Sequence, residues 1–326
     1  MNFYFIFNTD NTLCDTYYHT IIAFAEGLKA LNIPFYSNIN YYCITDNLFL
    51  FNKTDEPFFH FDYIVINNFI DSTFNMKLLY NPNKLYKTIM IDTSKDLNSS
   101  FDIGIHCDYY FKTSYNTKLY SLHKNMYPLA YYLTNRIIDT IDNISSKIHI
   151  KQHKIFISHR INNYFRNIIN QSYQTFINIT TYFHDNYINP NDDNNNIHYI
   201  QTNQRHNLDY YNNLHNTLLC DTTSGDIYHN IMYNVDSIKL WEALYSGSCV
   251  ICIDFDKYNI KLPYQLKNME HYIGFTTNKT YNRELIKRIF NNEIDINKIA
   301  LNGQKFVQQY YQPINLAQYI IDILQL

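Results

Sequence analysis

Short apolar runs of strand length alternate along the chain with longer segments whose apolar residues recur at helical spacing. In segment 16–31, for example, Ile21, Phe24 and Leu28 fall on one face of a helix. The pattern predicts strands at 3–7, 63–66, 87–91 and 109–112, and a helix or connection over 128–138. Strands that alternate with helices favour parallel sheets in an α/β architecture.

The same alternation starts again near residue 150, after a seam at 140–152. Strands are predicted at 154–158, 198–201, 217–220 and 250–253, and helices at 162–174, 208–216, 239–245, 281–290, 296–311 and 314–326. Because the alternation of strands and helices occurs twice, the sequence predicts two doubly wound, Rossmann-like domains, 1–145 and 146–326, that face each other across a cleft. Ligands of such sheets bind at the carboxyl ends of the strands.

The composition restricts the classes of partner and compartment. The chain is rich in Asn, Ile, Tyr and Phe and poor in Gly and Arg, which indicates an A/T-rich genome such as that of a virus. The net charge is −3 and no long basic run occurs, so a nucleic-acid partner is not favoured. No stretch approaches the roughly 20 apolar residues of a membrane span. We therefore expect a cytoplasmic protein, in the host cell if the chain is viral.

The cysteines and the glycines exclude several site classes. The six cysteines have no zinc-type spacing and fit a reducing compartment. Cys249 and Cys252 form a CxxC in a predicted strand, where side chains separated by three positions point to opposite faces. GxGxxG, Walker-type and G-x-S-x-G sequences are absent, which disfavours an ordinary dinucleotide enzyme or an α/β hydrolase.

The stretch DSIKLWEALYSGSCVICID, residues 236–254, combines one of six glycines with the only tryptophan. It predicts a largely buried helix that ends at Gly247, followed by a buried strand. Upstream, LLCDTTSGD leads from a strand into a polar loop that contains Ser224 and Gly225. A carboxylate such as Glu242 suits the vicinal hydroxyls of a ribose, and the loop and helix start offer N–H groups to a phosphate.

The region 218–254 resembles the nucleotide-sugar-binding half of GT-B glycosyltransferases, and is most similar to the exostosin-like pattern. The residues that carry this resemblance are Gly225, Asp236, Lys239, the WEAL sequence 241–244, Gly247 and the apolar strand 250–253. The chain departs from the pattern at Lys239, where arginine is commoner, and in the loop that follows Asp221. The resemblance implies a GT-B-like fold whose last helix crosses back to the first domain.

The resemblance also implies the roles of residues in the second domain. Glu242 would bind the ribose of the nucleotide, and Ser224 and Gly225 would lie near the diphosphate and the sugar. Asp236 and Lys239 would belong to the same nucleotide-sugar site. Early in the second domain, Arg160 and Arg166 are candidates to bind the diphosphate.

Glycosyl transfer with inversion needs a base that takes the proton of the acceptor hydroxyl. The candidates are Asp10 and Asp92, which follow predicted strands of the first domain, and His19 at the start of its first helix. Lys112 is a further residue that could approach the cleft. GT-B enzymes usually act without a bound metal, and the Asp254-Phe-Asp256 sequence lies in the wrong place for a metal-dependent fold.

The resemblance thus implies a metal-independent glycosyltransferase that has no bound cofactor and uses a UDP- or GDP-sugar as its nucleotide-sugar substrate. Its acceptor would be a glycan or glycoconjugate. Two alternatives remain open at this stage: a viral enzyme that glycosylates DNA bases, and a catalytically inactive nucleotide-sugar-binding or structural GT-B protein.

Overall fold

The computed structural model describes residues 1–8, 15–45, 48–68, 77–81, 83–94, 101–145, 151–157, 164–173, 179–181, 208–228 and 231–325. Its main elements are two parallel sheets, one in each half of the chain. The apolar runs seen in the sequence form the central strands of both sheets. An α/β fold with parallel sheets is therefore confirmed.

The first sheet has six parallel strands in the order β2-β1-β5-β6-β7-β8. The strands are β1 (Phe3–Phe5), β2 (Phe35–Ser37), β5 (Tyr63–Asn67), β6 (Lys87–Asp92), β7 (Tyr109–Thr113) and β8 (Met126–Leu129). An antiparallel pair, β3 (Tyr41–Thr45) and β4 (Leu48–Phe51), lies beside it. The helices of this half are α1 (Asp15–Ala30), α2 (Phe101–Gly104), α3 (Thr117–Tyr120) and α4 (Asn135–Ser145).

The second sheet has five parallel strands in the order β10-β9-β11-β14-β15. They are β9 (Gln152–Ile157), β10 (Ile179–Thr181), β11 (Thr217–Asp221), β14 (Cys249–Ile253) and β15 (Ile273–Phe275). A hairpin of β12 (Asp226–Tyr228) and β13 (Ile231–Tyr233) follows β11. The helices are α5 (Tyr164–Tyr173), α6 (Leu208–Asn216), α7 (Ile238–Tyr245), α8 (Lys279–Phe290), α9 (Ile296–Tyr310) and α10 (Pro313–Leu324).

Strands β11 and β14 are buried along their whole length, because helices cover both faces of the sheet. Cys249 and Cys252 are therefore core residues of β14, and the pKa of each thiol is raised by burial. The five cysteines that the structure describes are free thiols. None of the helices within the described residues has both the length and the apolar character that a membrane-spanning helix needs.

The last helix, α10, packs on α1 of the first half. Gly27 lies at the contact, where an added Cβ would come within 2.7 Å of the Ala317 Cβ and would also meet the Pro313 carbonyl oxygen. Glycine at this mid-helix position allows the two helices to approach closely. Tyr319 of α10 makes a second contact with the first half, since its hydroxyl donates to the Pro128 carbonyl of β8 at 2.7 Å.

Differences from the predicted elements have local causes. Strand β8 lies where the sequence predicts a helix or a connection, and it tolerates Pro128 because it is an edge strand of its sheet. Strands β2, β10 and β15 have only three residues each, too few to give a periodic signal. The predicted strand 198–201 lies outside the described residues. The domain boundary at 145/146 stays a prediction, because 146–150 lie outside them as well.

Candidate functional site

The candidate site lies at the carboxyl edge of the second sheet, where β11 ends at Asp221 and the loop 222–225 begins. The Thr222 N–H donates to the Ile251 carbonyl at 2.9 Å, so the loop starts by following β14. The Thr223 N–H then donates to the Asp221 carboxylate at 2.7 Å. The Ser224 hydroxyl donates to the Asn234 carbonyl at 2.9 Å, which ties the loop to the chain after β13.

Gly225 completes this loop in a conformation that other residues rarely adopt, with φ of +132°. A Cβ at this position would also lie 3.0 Å from the Met232 sulfur and 3.3 Å from a Val235 methyl. The glycine therefore lets the loop pack against the segment 232–235.

Two cationic side chains approach this loop. Arg166 in the first turn of α5 donates from Nε to the Thr223 carbonyl at 3.2 Å. Lys239 lies in the first turn of α7. Burial lowers the pKa of both groups, and the neighbouring Asp221 carboxylate opposes that shift. Arg166 itself also lowers the pKa of Lys239, so the two cations share one region of the edge.

Two buried hydroxyls belong to the same edge. Neither the Thr223 Oγ1 nor the Ser237 Oγ has a hydrogen-bond partner among the described residues. Ser237 is the N-cap residue of α7, yet its side chain makes no capping bond. Buried hydroxyls are normally hydrogen-bonded. Together with the cations and the helix N-terminus, they form a site suited to an anionic, oxygen-rich ligand.

Glu242, the predicted ribose-binding residue, is fully buried on α7. Its Oε2 accepts a hydrogen bond from the Tyr210 hydroxyl at 2.9 Å, and its Oε1 accepts one from the Tyr211 hydroxyl at 3.1 Å. Two hydroxyls on the two oxygens of one carboxylate are the arrangement that a vicinal diol would require. In this structure the hydroxyls come from α6 of the same chain.

Asp236 lies at the contact between the halves. Its Oδ1 accepts the Trp241 indole N–H at 2.8 Å, and its Oδ2 accepts the backbone N–H of Tyr131 at 3.0 Å. Burial raises the pKa of Asp236 to about 7 despite these hydrogen bonds. The Trp241 ring in turn stacks on Tyr311, with centroids 4.0 Å apart. The predicted ligand-binding carboxylate is therefore engaged with protein groups.

Gly247 has the role that the sequence predicts, since it follows α7 with φ of +73°. A Cβ at Gly247 would point at the side chain of Gln304 of α9, and the amide of this side chain donates to the Tyr245 carbonyl at 2.9 Å. The helix therefore ends at a fixed point against α9 before β14 begins.

Asp92 lies at the carboxyl end of β6 and is 1% exposed. Its Oδ2 forms an ion pair with the Lys112 ammonium at 3.1 Å and accepts the Tyr110 hydroxyl, while Oδ1 accepts the Ser94 N–H at 2.7 Å. Lys112 also donates to the carbonyl and the hydroxyl of Ser94, both at 2.9 Å. The structure thus places two predicted cleft residues together, in one buried ion pair.

The remaining predicted catalytic and phosphate-binding residues fall in different places. His19 is 2% exposed, and its Nε2 donates to the Tyr132 carbonyl at 2.6 Å. Asp10 and Arg160 lie outside the described residues. Sequence reasoning missed Tyr210, Tyr211 and the hydroxyl of Ser237. Two tyrosines among 33 carry no signal of their own, whereas the placement of Ser237 before a predicted helix could have indicated it.

The Asp254-Phe-Asp256 sequence follows β14, and its carboxylates hold the local turns. Asp254 accepts the Lys257 N–H at 3.1 Å and the Asn268 amide at 3.0 Å. Asp256 accepts the Gln265 amide at 3.1 Å. In the part of the chain that the structure describes, no group of three or more His, Cys, Asp or Glu residues could hold a metal ion.

Solved structures that share this fold cover almost the whole chain. HepE from Anabaena, in complex with UDP-glucose, matches over 100% of this chain and 99% of its own, with a TM-score of 0.55 and 10% identity. A glycosyltransferase from Rickettsia africae matches over 99% and 97%, with a TM-score of 0.56 and 10% identity. Sucrose-phosphate synthase from Thermosynechococcus elongatus matches over 99% of this chain and 98% of its own, with a TM-score of 0.56 and 10% identity.

The protein thus has the GT-B fold of these glycosyltransferases. At about one identical residue in ten, the likeness is one of fold. No protein-family model matches the chain, and no curated protein matches it by sequence. The narrower resemblance to exostosin-like proteins is accordingly not confirmed.

Proposed function

We propose that this protein is a glycosyltransferase that moves a sugar from a UDP- or GDP-sugar to a glycan or glycoconjugate. The observation that carries the proposal is the grouping of Arg166, Lys239 and the buried hydroxyls of Thr223 and Ser237 around the loop 222–225. The grouping lies at the carboxyl edge of a parallel sheet, where such folds bind ligands. HepE, which shares the fold, was solved with UDP-glucose.

The proposed chemistry needs positive charge beside the leaving diphosphate. When the bond to the anomeric carbon breaks, negative charge grows on the phosphate oxygens. Fixed donors aimed at that charge lower the barrier, because they need no reorganisation during the reaction. Arg166, Lys239 and the N-terminus of α7 supply such donors, and the Thr223 and Ser237 hydroxyls would each gain a partner. Arg160 stays a proposed further contact to the diphosphate.

The base of an inverting reaction stays a proposal among Asp10, Asp92 and His19. For Asp92 to accept a proton, the Lys112 ammonium has to leave its carboxylate, because the pair is 3.1 Å apart and buried. For His19, the base would have to be Nδ1, because Nε2 donates to the Tyr132 carbonyl. Asp10, which follows the first predicted strand in the sequence, lies outside the described residues and stays a candidate on that ground alone. A retaining reaction would not need this base.

Titration of nucleotide-sugars into the protein by calorimetry tests the proposal. The panel contains UDP-, GDP-, dTDP- and CMP-sugars, and the variants are Arg166→Met and Lys239→Met. Each variant removes a cation from the candidate site and keeps the apolar stem. Exposed cations elsewhere provide the matched controls Arg288→Met and Lys298→Met.

We expect one nucleotide family to bind, and each site variant to weaken binding at least about tenfold, as for loss of a charged hydrogen bond. The two control variants should bind as the unchanged protein does. Binding that is equal in all four variants would place the nucleotide elsewhere. Absence of binding by every nucleotide-sugar in the panel would refute the proposal for these substrates.

A protein that binds a nucleotide-sugar without turnover is the second candidate function. The observation that favours it is that protein groups already bind two carboxylates proposed for the site: Lys112 pairs with Asp92, a candidate base, and Tyr210 and Tyr211 bind Glu242, the proposed ribose-binding residue. Slow hydrolysis of the bound nucleotide-sugar, or transfer to any acceptor sugar, would exclude it. A DNA acceptor is disfavoured by the net charge of −3, and a cytoplasmic location stays part of the proposal.

A further inference from the structure

The segment 114–117 of the first half reaches across to the second half directly after β7. Ser114 begins it in the left-handed backbone region, with φ of +54°, which is uncommon for a serine. Backbone bonds join it to the segment after β14: the Thr117 N–H donates to the Asn259 carbonyl at 2.9 Å, and the Lys261 N–H donates to the Tyr115 carbonyl at 2.8 Å.

Two side chains of this segment bind the chain that precedes α7. The Ser114 hydroxyl oxygen accepts the N–H groups of Val235 and Asp236, both at 3.0 Å. The Asn116 amide donates to the Met232 carbonyl at 2.9 Å and to the Tyr258 carbonyl at 3.0 Å. All of these contacts are buried or half-buried, so water competes weakly with them.

Asn116 is held firmly while it makes these bonds. Its side-chain oxygen accepts the Lys118 N–H at 3.0 Å and caps α3. This bond fixes which end of the amide faces Met232 and Tyr258. The residue is 1% exposed, so its orientation is set by protein groups alone.

The segment 232–236 is in turn the support of the loop 222–225. Asn234 accepts the Ser224 hydroxyl at its carbonyl, and its amide donates to the Asp226 carboxylate at 2.9 Å. Gly225 packs on Met232 and Val235. Hydrogen bonds and packing therefore run without a break from Ser114 and Asn116, through 232–236, to the loop proposed to bind the diphosphate.

We propose that Ser114 and Asn116 are positioning residues by which the first half sets the place of the 222–225 loop in the second half. The proposal rests on the proposed function of that loop. This positioning role implies that the two halves act as one binding unit. A substitution at the end of β7 would then alter nucleotide-sugar binding although the substituted side chain does not contact the ligand.

The variant Ser114→Gly tests this inference, because glycine adopts a φ of +54° without strain while the hydroxyl acceptor is lost. Asn32→Gly is the matched control: Asn32 is exposed, has φ of +57° and lies just after α1. Asn116→Asp is the second variant, since it keeps the cap of α3 and removes both donated bonds. Hydrogen exchange of peptides that cover 222–226 and calorimetric titration of a UDP-sugar are measured for each.

We expect Ser114→Gly and Asn116→Asp to speed exchange at 222–226 and to weaken UDP-sugar binding by roughly five- to tenfold per lost hydrogen bond. Asn32→Gly should match the unchanged protein in both assays. Unchanged exchange at 222–226 would overturn the inference, as would faster exchange throughout both sheets, which would mean that Ser114 supports the whole fold.

The exchange measurement also separates this inference from the proposed function. If the unchanged protein binds no nucleotide-sugar but Ser114→Gly still loosens 222–226, the proposed function fails and the positioning of the loop stands. If the unchanged protein binds a nucleotide-sugar and Ser114→Gly binds it equally well, the function stands and the positioning role fails.

Discussion

The only tryptophan of the chain, Trp241, donates its indole N–H to the buried carboxylate of Asp236. Burial raises the pKa of that carboxylate to about 7, so it changes charge in a pH range where the protein can be handled. We predict that the tryptophan fluorescence of the folded protein titrates with a midpoint near 7, and that Asp236→Asn abolishes this titration.

The same shift predicts how stability depends on pH. The pKa of Asp236 is about 7 in the folded protein against an ordinary value of 3.8, so the folded state holds the proton over that window. Stability from this group is fully present below pH 3.8 and is lost as the pH rises to about 7. The total loss corresponds to about 4 kcal/mol in the free energy of unfolding.

Urea unfolding of the unchanged protein and of Asp236→Asn, measured from acid to neutral pH, checks this magnitude. The asparagine lacks a titrating proton, and every other carboxyl group is common to both proteins. The stability of the unchanged protein relative to the variant should therefore fall by about 4 kcal/mol between pH 3.8 and 7. A constant difference across this range, or a fluorescence midpoint near 4, would refute the burial argument.

Three further predictions test other contacts. Gly27→Ala should destabilise the protein by about 1–3 kcal/mol in a thermal melt, because its Cβ would come within 2.7 Å of the Ala317 Cβ; an unchanged melting temperature would contradict the close helix contact. Tyr211→Phe should tighten UDP-sugar binding about threefold or more in calorimetry, because one hydroxyl that competes for Glu242 is removed; weaker binding would mean that the tyrosine orients the carboxylate. Glu26→Gln should make the free energy of unfolding, measured with urea, fall less between pH 4.5 and 7 than it does in the unchanged protein, because burial raises the pKa of Glu26 to about 7. The same dependence of the free energy of unfolding on pH in both proteins would contradict this.

The sequence predicts the fold well where the signal is a long period or a scarce residue. Helix 208–216 begins and ends as the pattern predicts, and Gly247 ends α7 in the left-handed conformation that its place after a helix suggests. Strand β8 was missed because Pro128 is a poor strand residue except at a sheet edge, and a single sequence does not say which strand is the edge.

The partners of the site residues are the part that the sequence could not predict. Glu242 and Asp236 are both carboxylates in or next to one predicted helix, and the sequence alone does not distinguish which of them binds a ligand. The partner of Glu242 lies 31 residues upstream in Tyr211, which the packing of α6 within the second half brings near. The partner of Asp236 lies 105 residues upstream in Tyr131, which only the packing of the two halves brings near. A local motif predicts which groups are present, whereas the long-range contacts decide whether those groups face a ligand or each other.

Helix α7 shows why a tryptophan, a glutamate and a lysine occur together in this stretch. Successive residues of a helix are rotated by about 100°, so Lys239 and Glu242 share a face while Trp241 points to the other side. On the first face, Lys239 interacts electrostatically with Arg166 and Asp221. On the other face, Trp241 donates a hydrogen bond to Asp236 and stacks on Tyr311. One rigid helix therefore connects the proposed site to the contact between the halves, so a nucleotide-sugar that engages Lys239 should also change the fluorescence of Trp241.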